Sequence, residues 1–578
     1  MRRALAAAAI GLLLAGPALA APGKPKPLGP PEQRLTVAQA KAIFLRNEKV
    51  SDWLAHYPQR LWQTDATFDQ DHTFWRVNVW AGEAGEVATG KVDDTSGAVS
   101  EAWTGPQVAW KMARGLPGAF GGKEINSVPV WLGFCAVFFL GLADLRRPFS
   151  LRNLDLLVLL SFTVSLWFFN RGDIFTSVPL AYPPLLYLLG RMAWSGWRGR
   201  LETGAVPVWP IWLLAAATVF AAGFRLGLNV RASNVIDVGY SGVIGANRIA
   251  NGQSPYGHFP VELGKACGPS DIDGETRERI QTNGRCESAN PQGDTYGPVA
   301  YEAYLPGYLA LGWTGKWDDL PAAHFASIGF DLLCVLGLAL VGLRFGGQRL
   351  AVTLAFAWVA YPFTQYVSSS NTNDALPPLF LIWGFWLATW PAARGVGAAL
   401  SGWTKFGSLL VAPLWASYPE RRLRPTLVFA AGFLVATLAA FSIMLLEPNP
   451  VHAARVFWDR TLGWQIDRES PFSIWDWRQY HAGLPDLHIL QRVLEVLLIV
   501  AAVAVYFVPR RKSPLQLAAL TAALLVGVEL VLTHWFYLYL PWFFPFAAFA
   551  VLAPTAEPLR AAVRAPVERP RQELVGVD

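Results

Sequence analysis

Two charged residues stand where charge is costly. Asp237 closes the stretch Asn234-Val-Ile-Asp237, just past the apolar run Val208–Phe224 and at the start of a long polar interval. Lys405 is the single charge in the apolar, glycine-rich stretch Gly395–Pro419. A carboxylate partly withdrawn from water gains basicity and can take a proton from a hydroxyl. An ammonium in an apolar segment demands a partner, and a departing phosphate is an anion that it could stabilise. The plainer alternatives are a surface carboxylate at a helix end for Asp237 and a snorkelling side chain for Lys405. His534 is a further candidate phosphate contact, or a histidine packed at an interface. Trp458, Trp464, Trp475, Trp477 and Tyr480 share one interval with Arg455, Arg460 and Arg468. Such aromatics anchor chains at membrane surfaces, and their faces also stack on sugar rings.

Signatures of soluble enzymes are missing: the chain has no Gly-x-Gly-x-x-Gly, no Walker loop, no His-Glu-x-x-His and no Gly-x-Ser-x-Gly. Asp271-Ile-Asp273 has the Asp-x-Asp form that holds a metal in nucleotide-sugar transferases, and is read as a solvated loop. Of four cysteines, Cys135 and Cys334 lie in apolar runs, whereas Cys267 and Cys286 lie in the polar interval after Asp237. In an oxidising compartment this second pair is expected to form a disulfide; a metal pair or two free thiols are the alternatives. No cofactor is expected, no metal ligand is assigned, and a divalent metal stays open.

The elements that position these residues follow from composition. Of 578 residues, 53% are hydrophobic and only 16% charged, with a net charge of +6. Runs near or above the ~18-residue spanning length recur, among them Val208–Phe224, Ala322–Leu343, Leu427–Leu446, Val493–Val508 and Leu515–Leu532. The fold class is a polytopic α-helical membrane protein with about 11–13 membrane helices and a small α+β domain before them. The basic residues sit in short hinges between apolar runs, which argues for orientation in a bilayer and against nucleic acid. Placing Arg146/Arg147/Arg152, Arg198/Arg200, Arg344/Arg349, Arg394, Arg421/Arg422/Arg424 and Arg510/Arg511/Lys512 inside puts Asp237, Asn371 and residues 447–485 outside. Gly395–Pro419, flanked by arginines on both sides, is then read as a re-entrant hairpin lining a cavity.

The N-terminus carries Arg2-Arg3, an apolar run Ala4–Ala15 and Ala18-Leu-Ala20, the pattern of a signal peptide spanning 1–20. Residues 21–127 form an extracytoplasmic domain. Within it Thr36 can cap a helix, His72–Trp80 alternates like a strand, and Asp94-Thr-Ser-Gly97 makes a turn. The segment Gly90-Lys-Val-Asp-Asp-Thr-Ser-Gly-Ala-Val99 resembles the PepSY domain, a small helix-and-sheet module found outside bacterial membranes. Additional helices fill 128–206, a larger helical domain spans 207–556 with outer loops 229–298 and 447–486, and a cytoplasmic tail covers 557–578.

The motifs Asp237-x-x-Tyr240, Asn251-Gly-x-x-Pro-Tyr256 and Thr295-Tyr-Gly-Pro298 come first. Ser370-Asn371-Thr-Asn-Asp374, Gly402-Trp-Thr-Lys405, Glu469-Ser-Pro-Phe-Ser473 and His534-Trp-Phe-Tyr537 follow in that order. The set resembles the GT-C membrane glycosyltransferases, most of all the polyprenol-phosphomannose-dependent mannosyltransferases of actinobacteria. The resemblance implies inverting transfer of a sugar, mannose first and arabinose as an alternative. The donor would be a polyprenyl phosphate and the acceptor an extracytoplasmic glycan or glycolipid, at a bacterial plasma membrane. It makes Asp237 the general base, Lys405 and His534 donor-phosphate contacts, and Tyr240, Tyr256, Tyr296, Asn371, Trp475 and Trp477 substrate contacts. The rival readings are a lipid or solute transporter and a non-catalytic PepSY-bearing sensor or scaffold; matched internal repeats, which transporters often show, are not seen.

Overall fold

The computed structural model describes residues 33–70, 73–81, 86–104, 120–170, 174–199, 209–259, 279–280, 286–287, 293–315, 319–466, 470, 472–479 and 485–553. The signal segment 1–20, the tail 557–578, Cys267, Asp271, Asp273, Arg468, Glu469 and Tyr480 lie outside these residues. For Cys286 the backbone alone is described, so the Cys267–Cys286 disulfide lies outside them too.

Near the N-terminus, helices α1 (Val37–Leu45) and α2 (Glu48–Leu54) precede four strands, β1 (Trp62–Asp69), β2 (Phe74–Ala81), β3 (Glu86–Asp93) and β4 (Val99–Thr104). The strands pair antiparallel in sequence order. Thr36 caps α1: its hydroxyl accepts from Gln39 N at 3.2 Å, while Gln39 Oε1 accepts from Thr36 N at 2.8 Å. In β2, Trp75, Val77, Val79 and Ala81 point to one face and are buried. They pack there with Ala40 and Phe44 of α1 and with Val50 and Leu54 of α2. The turn between β3 and β4 is closed by Asp93, whose Oδ1 accepts from Ser96 N at 2.6 Å and Thr95 N at 3.1 Å. Next to it, buried Asp94 accepts from Arg34 N, Leu35 N and Trp75 Nε1 at 2.8–2.9 Å. Burial alone would raise its pKa, but these donors hold the carboxyl below its ordinary value. A two-residue pairing, β5 (Arg279–Ile280) with β6 (Cys286–Glu287), lies later in the chain.

The rest of the described chain is helical. Its segments are α3 (Val128–Leu142), α4 (Leu151–Phe169), α5 (Ile174–Arg198), α6 (Ile211–Ala232), α7 (Asp237–Ala250), α8 (Pro298–Glu302), α9 (Leu305–Leu311), α10 (Pro321–Ala360), α11 (Pro362–Ser370) and α12 (Leu376–Trp386). Then come α13 (Pro391–Gly402), α14 (Ala412–Ala416), α15 (Leu423–Ala440), α16 (Pro450–Trp458), α17 (His488–Phe507), α18 (Pro514–Val531) and α19 (Leu540–Leu552). Among the described residues six helices are long and apolar enough to cross a membrane: α4, α6, α10, α15 with its continuation to Leu446, α17 and α18. The chain is a helical membrane protein with a small N-terminal sheet.

Burial sorts these helices. Only 11% of the apolar window in α17 is buried, against 89% in α18. A helix apolar on every side yet uncovered by protein suits lipid, whereas α18 is the central post. Helix α10 is two legs folded across Gly347, at φ 74°. Charges inside the bundle are mostly satisfied by protein. The Arg225 guanidinium of α6 pairs with Asp331 of α10, which also accepts from Trp358 Nε1 at 2.7 Å. Arg191 of α5 pairs with Asp155 of α4 at 3.0 Å, and the Tyr187 hydroxyl donates to the same carboxylate at 2.8 Å. Both pairs brace neighbouring helices.

Residues 391–418 form an antiparallel hairpin. At its base the Arg394 guanidinium donates to the carbonyls of Trp415 (2.9 Å), Tyr418 (2.7 Å) and Ala388. Nearer the tip, Ser401 Oγ donates to Ser408 Oγ at 2.9 Å. Twelve helical residues rise about 18 Å, less than a ~30 Å hydrocarbon core, so this leg alone would not span one. It runs beside α15 at very close range: a Cβ on Gly395 would stand 2.1 Å from the Phe429 carbonyl oxygen. Only a glycine permits that approach.

Candidate functional site

The hairpin's purpose is legible at its tip. Trp403 O accepts from Val299 N of α8 at 3.3 Å, and Trp403 Nε1 donates to Thr437 of α15 at 2.8 Å. Two residues on, Lys405 is extended (φ −137°, ψ 115°) and turns its side chain inward, 9% exposed. Its Nζ lies 3.2 Å from Asp374 Oδ1, 4.4 Å from the centre of the Tyr296 ring and 5.6 Å from that of Tyr539. This is a buried ion pair flanked by aromatic faces, not a snorkelling lysine.

Asp374 is presented by the turn after α11. Asn371 ends that helix in the left-handed region, φ 53° and ψ 40°, where asparagine is among the few side chains tolerated. Its amide is consumed by protein: Nδ2 donates to Ser233 Oγ (2.9 Å) and Asn234 O (3.1 Å), and Oδ1 accepts from Asn229 Nδ2 (2.9 Å). Asn371 is fully buried and positions the turn. The same turn seats the start of α7, since Asn234 N donates to Ser369 O at 3.0 Å and Ile236 N to Ser370 O at 3.3 Å. Asp237, the next residue, is half-buried at the first turn of α7. Asp237 and Asp374 are thus carried by one hydrogen-bonded knot, and Lys405 is brought to it by the hairpin.

The other expected site residues divide into lining and frame. Tyr296 lines the site under Lys405, and the Tyr256 hydroxyl donates to Tyr296 O at 2.8 Å, so Tyr256 is a support. Tyr240, 1% exposed, packs edge-on against Trp313. His534 Nδ1 lies 2.8 Å from Ser470 Oγ, with Phe472 against its ring. Trp475 is buried, its indole N–H donating to Leu530 O at 2.9 Å, and Trp477 belongs to the main core. The segment carrying Tyr296 is pinned from the far side, where Arg460 Nε donates to both oxygens of fully buried Asp294 at 2.9 Å. Asp294 also accepts from Gly257 N at 2.9 Å. Glu302, at the end of α8, is pushed up to about 8 by burial.

Comparison with family models, with curated proteins and with solved structures finds no match. The site therefore stands on its own geometry. Sequence reasoning assigned no role to Asp374, Glu529, Asn373, Tyr539 or Trp542. Glu529 was within reach, as the single charge in the run Leu515–Leu532, by the argument that singled out Lys405. It is 1% exposed on α18, and Trp535 Nε1 donates to its Oε2 at 3.1 Å. Among the described residues no three His, Cys, Asp or Glu side chains gather as a metal site would require.

Proposed function

We propose that the chain is a GT-C-like membrane glycosyltransferase that moves a sugar, mannose in the first instance, from a polyprenyl phosphate to a glycan or glycolipid outside the cytoplasm. The observation that carries this reading is the buried Lys405–Asp374 pair at the tip of a short hairpin, with the chain just before half-buried Asp237 hydrogen-bonded to the end of α11 that leads into Asp374. Lipid-linked donor and polar acceptor meet at a membrane surface, and a charge pair walled by tyrosine rings suits the phosphate end of such a donor. In the reaction the acceptor oxygen attacks the anomeric carbon as its proton passes to Asp237. The bond from that carbon to the phosphate oxygen breaks, the lipid phosphate leaves with the electron pair, and the anomeric configuration inverts. The Lys405 ammonium faces the charge that builds on the leaving oxygen, and Asp374 holds that ammonium in place. On this reading the α+β domain, the start of α7 and residues 447–485 face outward, and the arginine-rich hinges face the cytoplasm.

The test uses purified full chain with polyprenyl-phosphate sugars and membrane glycan acceptors. General-base catalysis contributes roughly 10²–10⁴-fold, so Asp237→Asn should lose at least ~10²-fold in turnover while keeping donor affinity. Near-normal turnover by the variant would refute the base assignment. A second reading, ion-coupled transport, draws on the two membrane-buried carboxylates Asp374 and Glu529. It predicts substrate movement across a vesicle membrane with every glycosidic bond intact.

A further inference from the structure

Most polar side chains in this bundle are bonded within the protein, but one neighbourhood concentrates exceptions. Oδ2 of Asp374, Oε1 of Glu529, both amide atoms of Asn373 and Nε1 of Trp542 are buried without a hydrogen-bond partner, and Asp374 Oδ1 meets only the Lys405 ammonium. Asp374, Asn373 and Glu529 are each 1% exposed and Trp542 is 3% exposed. They converge from three parts of the chain. Asn373 and Asp374 occupy the turn before α12, and Asp374 meets Lys405 at 3.2 Å. A Cβ on Gly407, two residues past Lys405, would stand 2.6 Å from Val528, the neighbour of Glu529 on α18, and 3.8 Å from Trp542. Trp542 of α19 stacks on Tyr539 at 4.5 Å between ring centres, and the Lys405 ammonium lies 5.6 Å from that tyrosine ring.

Buried donors and acceptors left unmatched in one place mark where a ligand supplies the other half of each bond. Their polarity says which ligand. A metal ion wants oxygen donors, yet the indole N–H groups of Trp535 and Trp542 and the Lys405 ammonium present hydrogens. A phosphate alone would meet two carboxylates. A neutral ring bearing several hydroxyls can donate to Asp374 and Glu529, accept from Trp542, exchange bonds in both directions with Asn373, and lay its apolar face on the aromatic rings.

We infer that Asp374, Glu529, Asn373 and Trp542 form the subsite for the sugar ring of the lipid-linked donor. The inference rests on the transferase reading above and adds to it the groups that choose the sugar. Lys405 then stands at the boundary between sugar and phosphate. Because a missing hydroxyl would leave a buried carboxylate unmatched, the subsite should reject deoxy sugars strongly.

The experiment measures tryptophan fluorescence of the purified full chain on titration with short-chain polyprenyl phosphates. The lipids carry mannose, glucose or arabinose, a monodeoxy derivative of the preferred sugar, or no sugar. Wild type should bind its preferred sugar lipid at least ~10-fold more tightly than the bare lipid phosphate, and at least ~10-fold more tightly than one monodeoxy derivative. Glu529→Gln, which keeps an acceptor for Trp535, and Trp542→Phe, which removes the indole N–H with part of the ring but keeps an aromatic face, should each erase most of that preference and leave bare-lipid binding unchanged. Equal affinity for sugar-bearing and bare lipids in a wild type that still transfers sugar would overturn the subsite and leave the transferase standing. A wild type that binds no lipid phosphate and transfers nothing overturns both. A response to sodium or pH alone, with none to any sugar lipid, replaces the sugar subsite with an ion site.

Discussion

Replacing Lys405 by Met removes one member of a buried pair and leaves Asp374, 1% exposed, with neither oxygen hydrogen-bonded. At the observed 3.2 Å, an effective dielectric constant of ~20 gives an attraction of about 5 kcal/mol. Measured costs of breaking buried pairs, about 3–5 kcal/mol, agree, because the survivor is an uncompensated charge. Lys405→Met should therefore unfold at markedly lower denaturant than wild type, and Asp374→Asn should do likewise by stranding the ammonium. The double variant strands neither charge and should recover much of the loss, with a coupling energy of at least ~2 kcal/mol. Unfolding by SDS titration from mixed micelles, followed through tryptophan fluorescence, provides the three differences. Additive losses in the double variant would refute the ion pair, and with it the argument that Asp374 fixes the Lys405 charge. Lys405→Arg separates stability from chemistry: it keeps the charge, so it should stay folded, while its broad fork disturbs the contact with the Tyr296 ring.

Three further outcomes follow from particular residues. Asp94 titrates below its ordinary value of 3.8, so its contribution is complete above that pH and disappears as pH falls through the folded value. Asp94→Asn should cost about 1–3 kcal/mol near neutral pH, read as faster hydrogen exchange of amides 62–104 in the full chain, with the difference narrowing below pH ~4. For Glu302 the sign reverses, because burial raises its carboxyl from 4.5 to about 8 and stability declines as pH climbs between those values. Glu302→Gln should match the wild-type Tm near pH ~4 and exceed it above pH ~8; an equal Tm at both ends refutes the burial argument. Gly395→Leu should destabilise by about 1–3 kcal/mol or more by driving α13 off α15. Gly133→Leu, at a position with nothing within 4 Å, should leave the SDS midpoint unchanged.

Much of the frame was legible in the linear chain. The apolar runs marked the long helices, because solvation in lipid demands a minimum length of uncharged residues whatever the fold around them. The Thr36 cap, the alternation through Trp75, Val77 and Val79, and the Asp94–Gly97 turn were legible because each is settled by neighbours a few residues apart. Basic residues at both ends of Gly395–Pro419 led to the expectation of a hairpin, and the chain does double back there.

The division between a charge and its partner is another matter. Asp237 and Lys405 stood out in the sequence because an isolated charge in apolar surroundings is improbable in itself; Glu529 was missed although the same rule reaches it. That Lys405 meets Asp374, that the Asn371 amide braces the turn, and that Trp475 and Trp477 are buried were decided only when α11, α13 and α18 came together. Burial cost is a property of one residue and its local run, so sequence alone carries it. Pairing depends on which distant segments share a few ångströms, and that is set by close packing of the whole bundle, down to the glycine at 395 that lets α13 reach its neighbour.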